Sequence, residues 1–568
     1  MNSAPGCRCF ATRVWRWAEP ADGKLGKTSV SLQISRWSQQ KFAIVWFKRC
    51  PGLPVFASLN KAGEPASESP IHPQAKPSFA DSGQAIAAGL FLFAAIWLLL
   101  LTNVSLSPPV DNIEQLTWVR SLQLGYYKHP PLPTWMLWCS VQVFGLSQRA
   151  AYLLGAFVTM GALAVMWKLV RELRGSVQAA ISLLGTLCVT FYNGRLDYYN
   201  HNVLLMLAVT VSAWCCWRAF GSQKLRWWFA LGLTLGLGAL AKYQVAITVM
   251  SVLCFFVSQQ AWRERAHVRG LLLAILVGFL VLVPHLVWLF QHDFGPVRYA
   301  MTTSLGRHLG TGARMFNALN WIADEIFNRS LLALVLVGLC ARKVMRSPMG
   351  QSTLVRPLPR EGGAATALIW CWAGVPLVFI PAVAIFFGSD LQLQWGTAFL
   401  PFLVPAAMQV KSSCFWSRVR LGFAFKVFVA VQTILLVVNF CTSPAGIPRF
   451  RDTHWRSFDS KALAFAVAAP ARAALGGPVR VVIGNAAFAG ALALQMPERP
   501  LVLIDGRYDL SPWVPIELVS QCGAIELITT ASPPADAVAA GSAFPELFWR
   551  SIAPLQGGKE CQENNLRS

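Results

Sequence analysis

The sequence predicts an α-helical, polytopic membrane protein of about eleven transmembrane helices with a small C-terminal α/β domain, and three observations carry that prediction. Of 568 residues 55% are hydrophobic and only 13% charged, a balance too apolar for a soluble core of that length. The basic residues behind a formal charge of +23 recur in alternate loops between apolar runs, which reads as membrane topology rather than as a nucleic-acid surface. Beyond residue 442 the long apolar runs give way to short strand-like and helix-like segments. The 23 tryptophans suit aromatic belts at the two membrane interfaces.

Residues 1–80 are basic and rich in Pro, Ser and Gly, with no run long enough to span, and read as a disordered cytoplasmic extension rather than a secretory signal. Apolar runs then fall near 84–106, 150–170, 177–192, 202–218, 227–241, 245–258, 270–290, 318–340, 364–388, 395–410 and 423–441, so that 81–441 forms the transmembrane module. A cytoplasmic start places Lys168, Arg171 and Arg174, then Arg218, Lys224 and Arg226, then Arg263, Arg265 and Arg269, on the cytoplasmic side. The same assignment sends Asp111, Glu114, His129, Asp197, Asn200, His201 and Lys242 to the opposite face, together with the tail 442–568. In that tail Val479–Ile483 and Leu501–Ile504 read as strands, Ala486–Gln495 as a helix and Ala524–Ile528 as a third strand. Gly484-Asn485 after the first strand is not a GxGxxG loop and gives no nucleotide site.

Most of the 14 cysteines, such as Cys188, Cys215 and Cys216, lie in apolar runs as small hydrophobes, whereas Cys522 and Cys561 of the tail can form a disulfide in an oxidising compartment. Gly232, Gly236 and Gly238 make one helix face small, which suits close helix packing.

Asp111 and Glu114 are three apart and share a face on a short helix, either as interacting carboxylates or as acids at a solvated helix start with Asp111 as N-cap. Between Tyr192 and Asn202 a short loop concentrates Arg195, Asp197, Asn200, His201 and Asn202, a density that favours a site; an interfacial belt with an Asn N-cap is the plainer reading. Lys242 stands alone between two apolar runs, either snorkelling to headgroups or binding an anion. Arg298, Arg307 and Arg329 suit phosphate or headgroups, Trp395 a sugar ring or the interface, and His285 a satisfied helix position.

Asp111, followed eighteen residues later by His129-Pro130-Pro131-Leu132 with Gly125-Tyr126 between and Trp135 after, resembles the first periplasmic loop of the polyprenyl-phosphate-sugar glycosyltransferases related to protein O-mannosyltransferases and the aminoarabinose transferase of lipid A (glycosyltransferase family 39-like). Asn200-His201-Asn202, Leu240-x-Lys242-Tyr243, Pro284-x-Leu286-x-Trp288 and Gln394-Trp395 extend the resemblance over roughly 84–410. It implies a C-type glycosyltransferase fold with Asp111 catalytic. The chain departs from the family with Asn112 where a Glu is common and with Gln394 where a His is common, and both changes bear on metal binding and acceptor choice.

The expected function is transfer of a sugar from a polyprenyl-phosphate donor to an extracytoplasmic lipid, glycan or protein, with inversion. Asp111 and Glu114 are the catalytic acids, with Asp111 as the general base, while His129, Arg195, Asp197, Asn200, His201, Asn202, Lys242, Tyr243, Arg307 and Trp395 line the substrate. The donor carries its own activation, so no nucleotide cofactor is expected; a divalent metal is left open. The resemblance implies the bacterial inner membrane, with the N-terminus cytoplasmic and the tail periplasmic. A transporter or flippase for a lipid-linked anion, or an inactive interaction subunit, are the alternatives.

Overall fold

The computed structural model describes residues 82–303, 309–346 and 363–555 together with Cys561, so the N-terminal extension and Arg307 lie outside the described residues. The first span, α1 (Gly83–Val104), carries no charge and opens on Ser82, whose hydroxyl accepts the Ala85 N–H at 3.3 Å. Pro109 then starts α2 (Val110–Trp118), which carries Asp111 and Glu114. A helix that run-counting passes over, α3 (Leu132–Phe144), follows the Pro130-Pro131 turn; its 13 residues are too few to span. The chain continues through α4 (Gln148–Arg174), α5 (Ser176–Thr186), the one-turn α6 (Phe191–Gly194), α7 (His201–Ser222), α8 (Leu225–Ala241), α9 (Ala246–Ser258) and α10 (Arg265–Gln291). Then come α11 (Gly295–Thr303), α12 (Thr311–Ala323), α13 (Leu331–Arg346), α14 (Gly363–Phe387), the short α15 (Leu403–Met408) and α16 (Ser413–Ser417), and α17 (Leu421–Thr442).

Among the described residues six helices, α1, α4, α7, α10, α14 and α17, are long and apolar enough to cross a membrane. The other expected runs fold as the shorter α5, α8 and α9, as α12 and α13, and as the broken segment around Leu393–Met408. The run expected at 318–340 is not one helix: a π-helical turn, Asp324–Arg329, separates α12 from α13, and Arg329 Nε meets Asp324 Oδ2 at 2.5 Å within it. Apolar side chains point outward over long stretches, including Phe91 of α1, Phe279 of α10, Phe386 of α14 and Ile434 of α17, as a lipid-facing surface requires. Helices α8 and α10 touch through backbone. A Cβ on Gly232 would stand 2.3 Å from the Ala274 carbonyl oxygen, and one on Gly236 would stand 2.8 Å from Val281, so these glycines serve close packing.

The C-terminal domain joins α18 (Ser460–Leu475), β1 (Val481–Gly484), α19 (Ala486–Gln495), β2 (Leu501–Ile504), α20 (Ile516–Cys522), β3 (Ala524–Thr529), β4 (Val538–Ala539) and β5 (Leu547–Ile552). The sheet order is β2-β1-β3-β5-β4, with β1 parallel to β2 and β3 and the β3–β5 and β5–β4 pairs antiparallel. Every residue of β1 is buried, as expected for a central parallel strand covered on both faces. Cys522 and Cys561 form a disulfide.

This domain is built around the loop that follows α1. Trp118 and Tyr126 belong to the same buried cluster as Val481, Leu492 and Ile504, and Tyr127 packs against it. Helix α19 lies on α2 so closely that a Cβ on Gly490 would stand 2.5 Å from Ile113 Cγ2. The linker grips the segment ahead of α2: Leu106 N–H donates to the Arg456 carbonyl at 2.8 Å, and Trp455 Nε1 donates to the Pro108 carbonyl at 2.8 Å. Gly490→Val is therefore expected to push α19 off α2 and to cost about 1–3 kcal/mol, as overpacking of a tight contact does. A thermal melt in detergent, with proteolysis across 443–459, measures it.

Candidate active site

Asp111 sits one residue inside α2. It is not the N-cap, a place taken by Pro109, which offers no side-chain acceptor. Its carboxylate is instead gripped from the next loop: Asn200 Nδ2 donates to Asp111 Oδ2 at 2.7 Å. Asn200 does two jobs, because its Oδ1 also accepts the Asn202 and Val203 N–H groups at 2.9 and 3.2 Å and caps α7. Capping thus fixes the amide that meets the acid.

Cap geometry also aims the two residues after Asn200. His201 faces His129 with ring centroids 3.8 Å apart, and Asn202 Oδ1 accepts a hydrogen bond from Lys242 Nζ at 2.7 Å. Lys242 ends α8 as its C-cap and enters an extended conformation, which turns its side chain away from the helix axis. Its ammonium lies 5.7 Å from the Trp395 ring centroid, and it makes no ion pair among the described residues. Burial pulls its pKa down to about 7, against the attraction of Asp111. His129, also buried, is held well below the ordinary histidine value by desolvation and by the charges of Lys128 and Lys242, so it is neutral. Asp111, His129, Asn200, His201, Asn202, Lys242 and Trp395 therefore converge on one place.

Other expected residues are turned elsewhere. Glu114 accepts Lys128 Nζ at 2.7 Å and the Tyr127 hydroxyl at 3.1 Å. Burial works against the charge on Lys128, but Glu114 and the flanking tyrosines hold its pKa well above the usual lysine value. The ammonium also lies 5.5 and 5.4 Å from the centroids of the Tyr127 and Tyr299 rings. Tyr243 shares a hydrogen bond with His285 Nε2 at 2.8 Å, and His285 Nδ1 meets the Leu124 carbonyl at 2.6 Å, which ties the first loop to α10. Gly125 completes that tie, since a Cβ there would stand 2.3 Å from the Trp288 ring. Asp197 is buried, and desolvation raises its pKa to about 6 against the pull of Arg195 and Arg456. Arg195 is exposed, with its guanidinium over the Tyr198 ring and bonded to its hydroxyl.

Sequence reasoning missed four supports. Asn112, fully buried, bonds the 197–199 backbone through both ends of its amide. Gln244 Nε2 donates to the Trp395 carbonyl at 2.9 Å, and the Tyr192 hydroxyl donates to the Thr397 carbonyl at 2.6 Å. Glu325, of the π-helical turn, is fully buried against the same segment, where a Cβ on Gly396 would stand 2.3 Å from Oε1. The signal for Asn112 was present as a departure from the family motif; a buried Glu inside an apolar run was the signal for Glu325. Among the described residues no group of three or more His, Cys, Asp and Glu side chains is placed to hold a metal ion.

The Lys128–Glu114 pair gives a test of this division of labour. Lys128→Met leaves Glu114 buried without its partner and should destabilise by about 3–5 kcal/mol, whereas Lys128→Met with Glu114→Gln should recover most of that loss. Equal melting temperatures for the single and double variants would contradict the pairing.

The chain is similar to several known proteins. A family model described as dolichyl-phosphate-mannose-protein mannosyltransferase matches residues 128–288. The lipopolysaccharide core galacturonosyltransferase RgtA of Rhizobium johnstonii is 24% identical over 440 residues, covering 74% of this chain and 82% of the relative. The lipid A galacturonosyltransferase RgtD of the same organism is 27% identical over 218 residues, covering 37% of this chain and 45% of the relative. Among solved structures, ArnT from Cupriavidus metallidurans bound to undecaprenyl phosphate superposes with a TM-score of 0.55 at 13% identity, covering 82% of this chain and 98% of that one, and shares the fold. With these similarities added to the fold and to the residues gathered around Asp111, the chain resembles the protein mannosyltransferase and aminoarabinose transferase-like membrane glycosyltransferases (glycosyltransferase family 39-like).

Proposed function

We propose that this protein transfers a sugar from a polyprenyl-phosphate donor to a hydroxyl of an extracytoplasmic acceptor, with inversion, and that Asp111 is the general base. The observation that carries the reading is the pairing of one oriented carboxylate, Asp111, with one cation, Lys242, that lacks a counter-ion among the described residues, across two imidazoles. Asp111 Oδ2 is occupied by Asn200, so Oδ1 takes the proton of the acceptor hydroxyl as its oxygen attacks the anomeric carbon. The bond from that carbon to the phosphate oxygen breaks with its electrons on the phosphate, and Lys242 meets the growing charge. His129 and His201 offer neutral hydrogen-bonding edges to the sugar, and Trp395 offers a ring face beside the ammonium.

That RgtA and RgtD act on lipopolysaccharide core and lipid A supports a glycolipid of the envelope as acceptor, and an undecaprenyl-phosphate complex of ArnT supports the donor class. The Cys522–Cys561 disulfide supports an oxidising compartment for the C-terminal domain, hence the periplasmic side of the inner membrane for the domain and the site it covers. Residues 81–441 then form the transmembrane module and 442–568 the periplasmic domain. A transporter or flippase is not favoured, because the similar proteins are glycosyltransferases.

Asp111→Asn should abolish transfer from polyprenyl-phosphate sugars to extracted envelope lipids while leaving the amount of folded protein little changed, since Asn keeps the size and an acceptor for Asn200. Normal turnover by that variant would reassign the base, most directly to Asp197.

Lys242 has a pH signature of its own. It must be charged to hold phosphate, and its pKa near 7 in the free protein means that kcat/KM for the donor falls as pH rises through about 7. Lys242→Arg keeps its charge and should move that alkaline limb upward, while Lys242→Met should lower turnover by about 10²-fold or more at neutral pH. An alkaline limb unchanged in the Arg variant would place the phosphate elsewhere.

A further inference from the structure

Asn112, next to the acid in sequence, is fully buried, and both ends of its amide are taken by the backbone of 197–199. Its Nδ2 donates to the Asp197 carbonyl at 2.8 Å and its Oδ1 accepts the Tyr199 N–H at 2.8 Å. The side chain therefore pairs with the loop as a peptide of a neighbouring strand would, with one bond on either side of Tyr198. The same three residues are held from other directions. A Cβ on Gly155 would stand 2.2 Å from the Tyr198 carbonyl oxygen, and the Tyr199 hydroxyl donates to the Pro133 carbonyl at 2.6 Å. One residue after this clamped stretch comes Asn200, whose amide grips Asp111, the residue just before Asn112.

We propose that Asn112 is a positioning residue: by bridging Asp197 and Tyr199 it sets the Asn200 amide against Oδ2 of Asp111, and so determines which carboxylate oxygen faces the acceptor. The inference rests on Asp111 being the base, as proposed above. Two consecutive residues of α2 thus make both ends of one closed circuit, Asp111 to Asn200 to the 197–199 backbone to Asn112. An acidic residue at 112 breaks it, because a carboxylate accepts from Tyr199 but cannot donate to the Asp197 carbonyl unless it is protonated.

The test compares Asn112→Asp, Asn112→Ser and Asn200→Ser, singly and with Asn112→Ser and Asn200→Ser combined, in the full-length protein in detergent. Single-turnover rates with a polyprenyl-phosphate sugar are read from pH 5 to 9, beside donor KM and the yield of monodisperse protein. Asn200→Ser keeps a hydroxyl for capping α7 but removes the donor to Asp111. The expected result is a loss of ~10²-fold in rate for Asn112→Asp at pH 8 with donor KM within about two-fold, the scale of a catalytic group misplaced by about 1 Å. Part of that loss returns at acidic pH, where the introduced carboxyl regains a proton to donate, and Asn112→Ser shows the loss without the pH-dependent return. The combined variant costs no more than its worse single.

Wild-type rates in Asn112→Asp and Asn112→Ser, or costs that multiply in the combined variant, would overturn the inference, as would a rate loss no greater than the loss of folded protein. Should Asn112→Asp fail to fold, Asn112→Ser and the combined variant still decide. Asp111→Asn run in parallel separates the two levels: a dead Asp111→Asn beside active Asn112 variants removes only this inference, and an active Asp111→Asn removes the assignment of the base.

Discussion

The structure depends on covering one short helix. Helix α2 lies outside the long apolar spans, yet it carries Ile113, Leu116 and Trp118, all essentially without solvent contact. Nine residues cannot hold a helix in water by propensity, so α2 exists because its neighbours bury it. The sheet domain supplies one cover through Gly490 and the Trp118–Tyr126 cluster, and the 197–200 loop supplies the other through Asn112. That double cover makes the acid rigid. It also gives the C-terminal domain a place at the site: without it the apolar face of α2 would be exposed and Asp111 would have no fixed direction.

Charge placement follows from the same burial. Two lysines flank the histidine pair, and they are treated differently by their surroundings. Lys128 is committed to Glu114 at 2.7 Å and lies beside two tyrosine rings, so its charge is neutralised locally. Lys242 has only an amide oxygen as its close polar partner among the described residues, and desolvation brings its pKa to about 7. A buried ammonium without a carboxylate is costly to keep charged, and under the proposed function an arriving phosphate would remove that cost. Burial first, and then the charges of both lysines, disfavour a third positive charge on His129, which stays neutral and able to accept as well as donate.

The elements were legible where a single period or a short local rule controls them. Apolar runs located the helices, the small face of Gly232 and Gly236 announced the α8–α10 contact, and Val479–Ile483, Ala486–Gln495 and Leu501–Ile504 announced the first β-α-β unit. Asn200 before an apolar run signalled its own cap. What stayed hidden depends on partners distant in sequence. Strand β5 pairs with β3 across more than a loop's length, and its register rests on Trp549 meeting Leu527, which no local pattern records. Glu114 looks like a second catalytic acid until Lys128 is seen beside it, and the π-helical turn at Asp324–Arg329 looks like the polar start of a span until its ion pair is seen.

The two departures from the family pattern now have different physical weights. Gln394 lies on the exposed side of the turn that bears Trp395, and that turn is held by Gln244, Tyr192 and Glu325, so the residue at 394 is free to vary without moving the ring. Asn112 is the opposite case, enclosed and bonded at both ends. A carboxylate there would stand beside Asp111 and the buried Asp197, and it would have to be desolvated without any cation, among the described residues, as close as Lys128 is to Glu114. The amide removes that charge and gains a donor for the Asp197 carbonyl. With Glu114 paired to Lys128, the proposed function leaves Asp111 as the base and Lys242 as the cation for the phosphate, and one carboxylate with one ammonium is matched to a reaction that delivers one proton to the base and one unit of negative charge to the leaving phosphate.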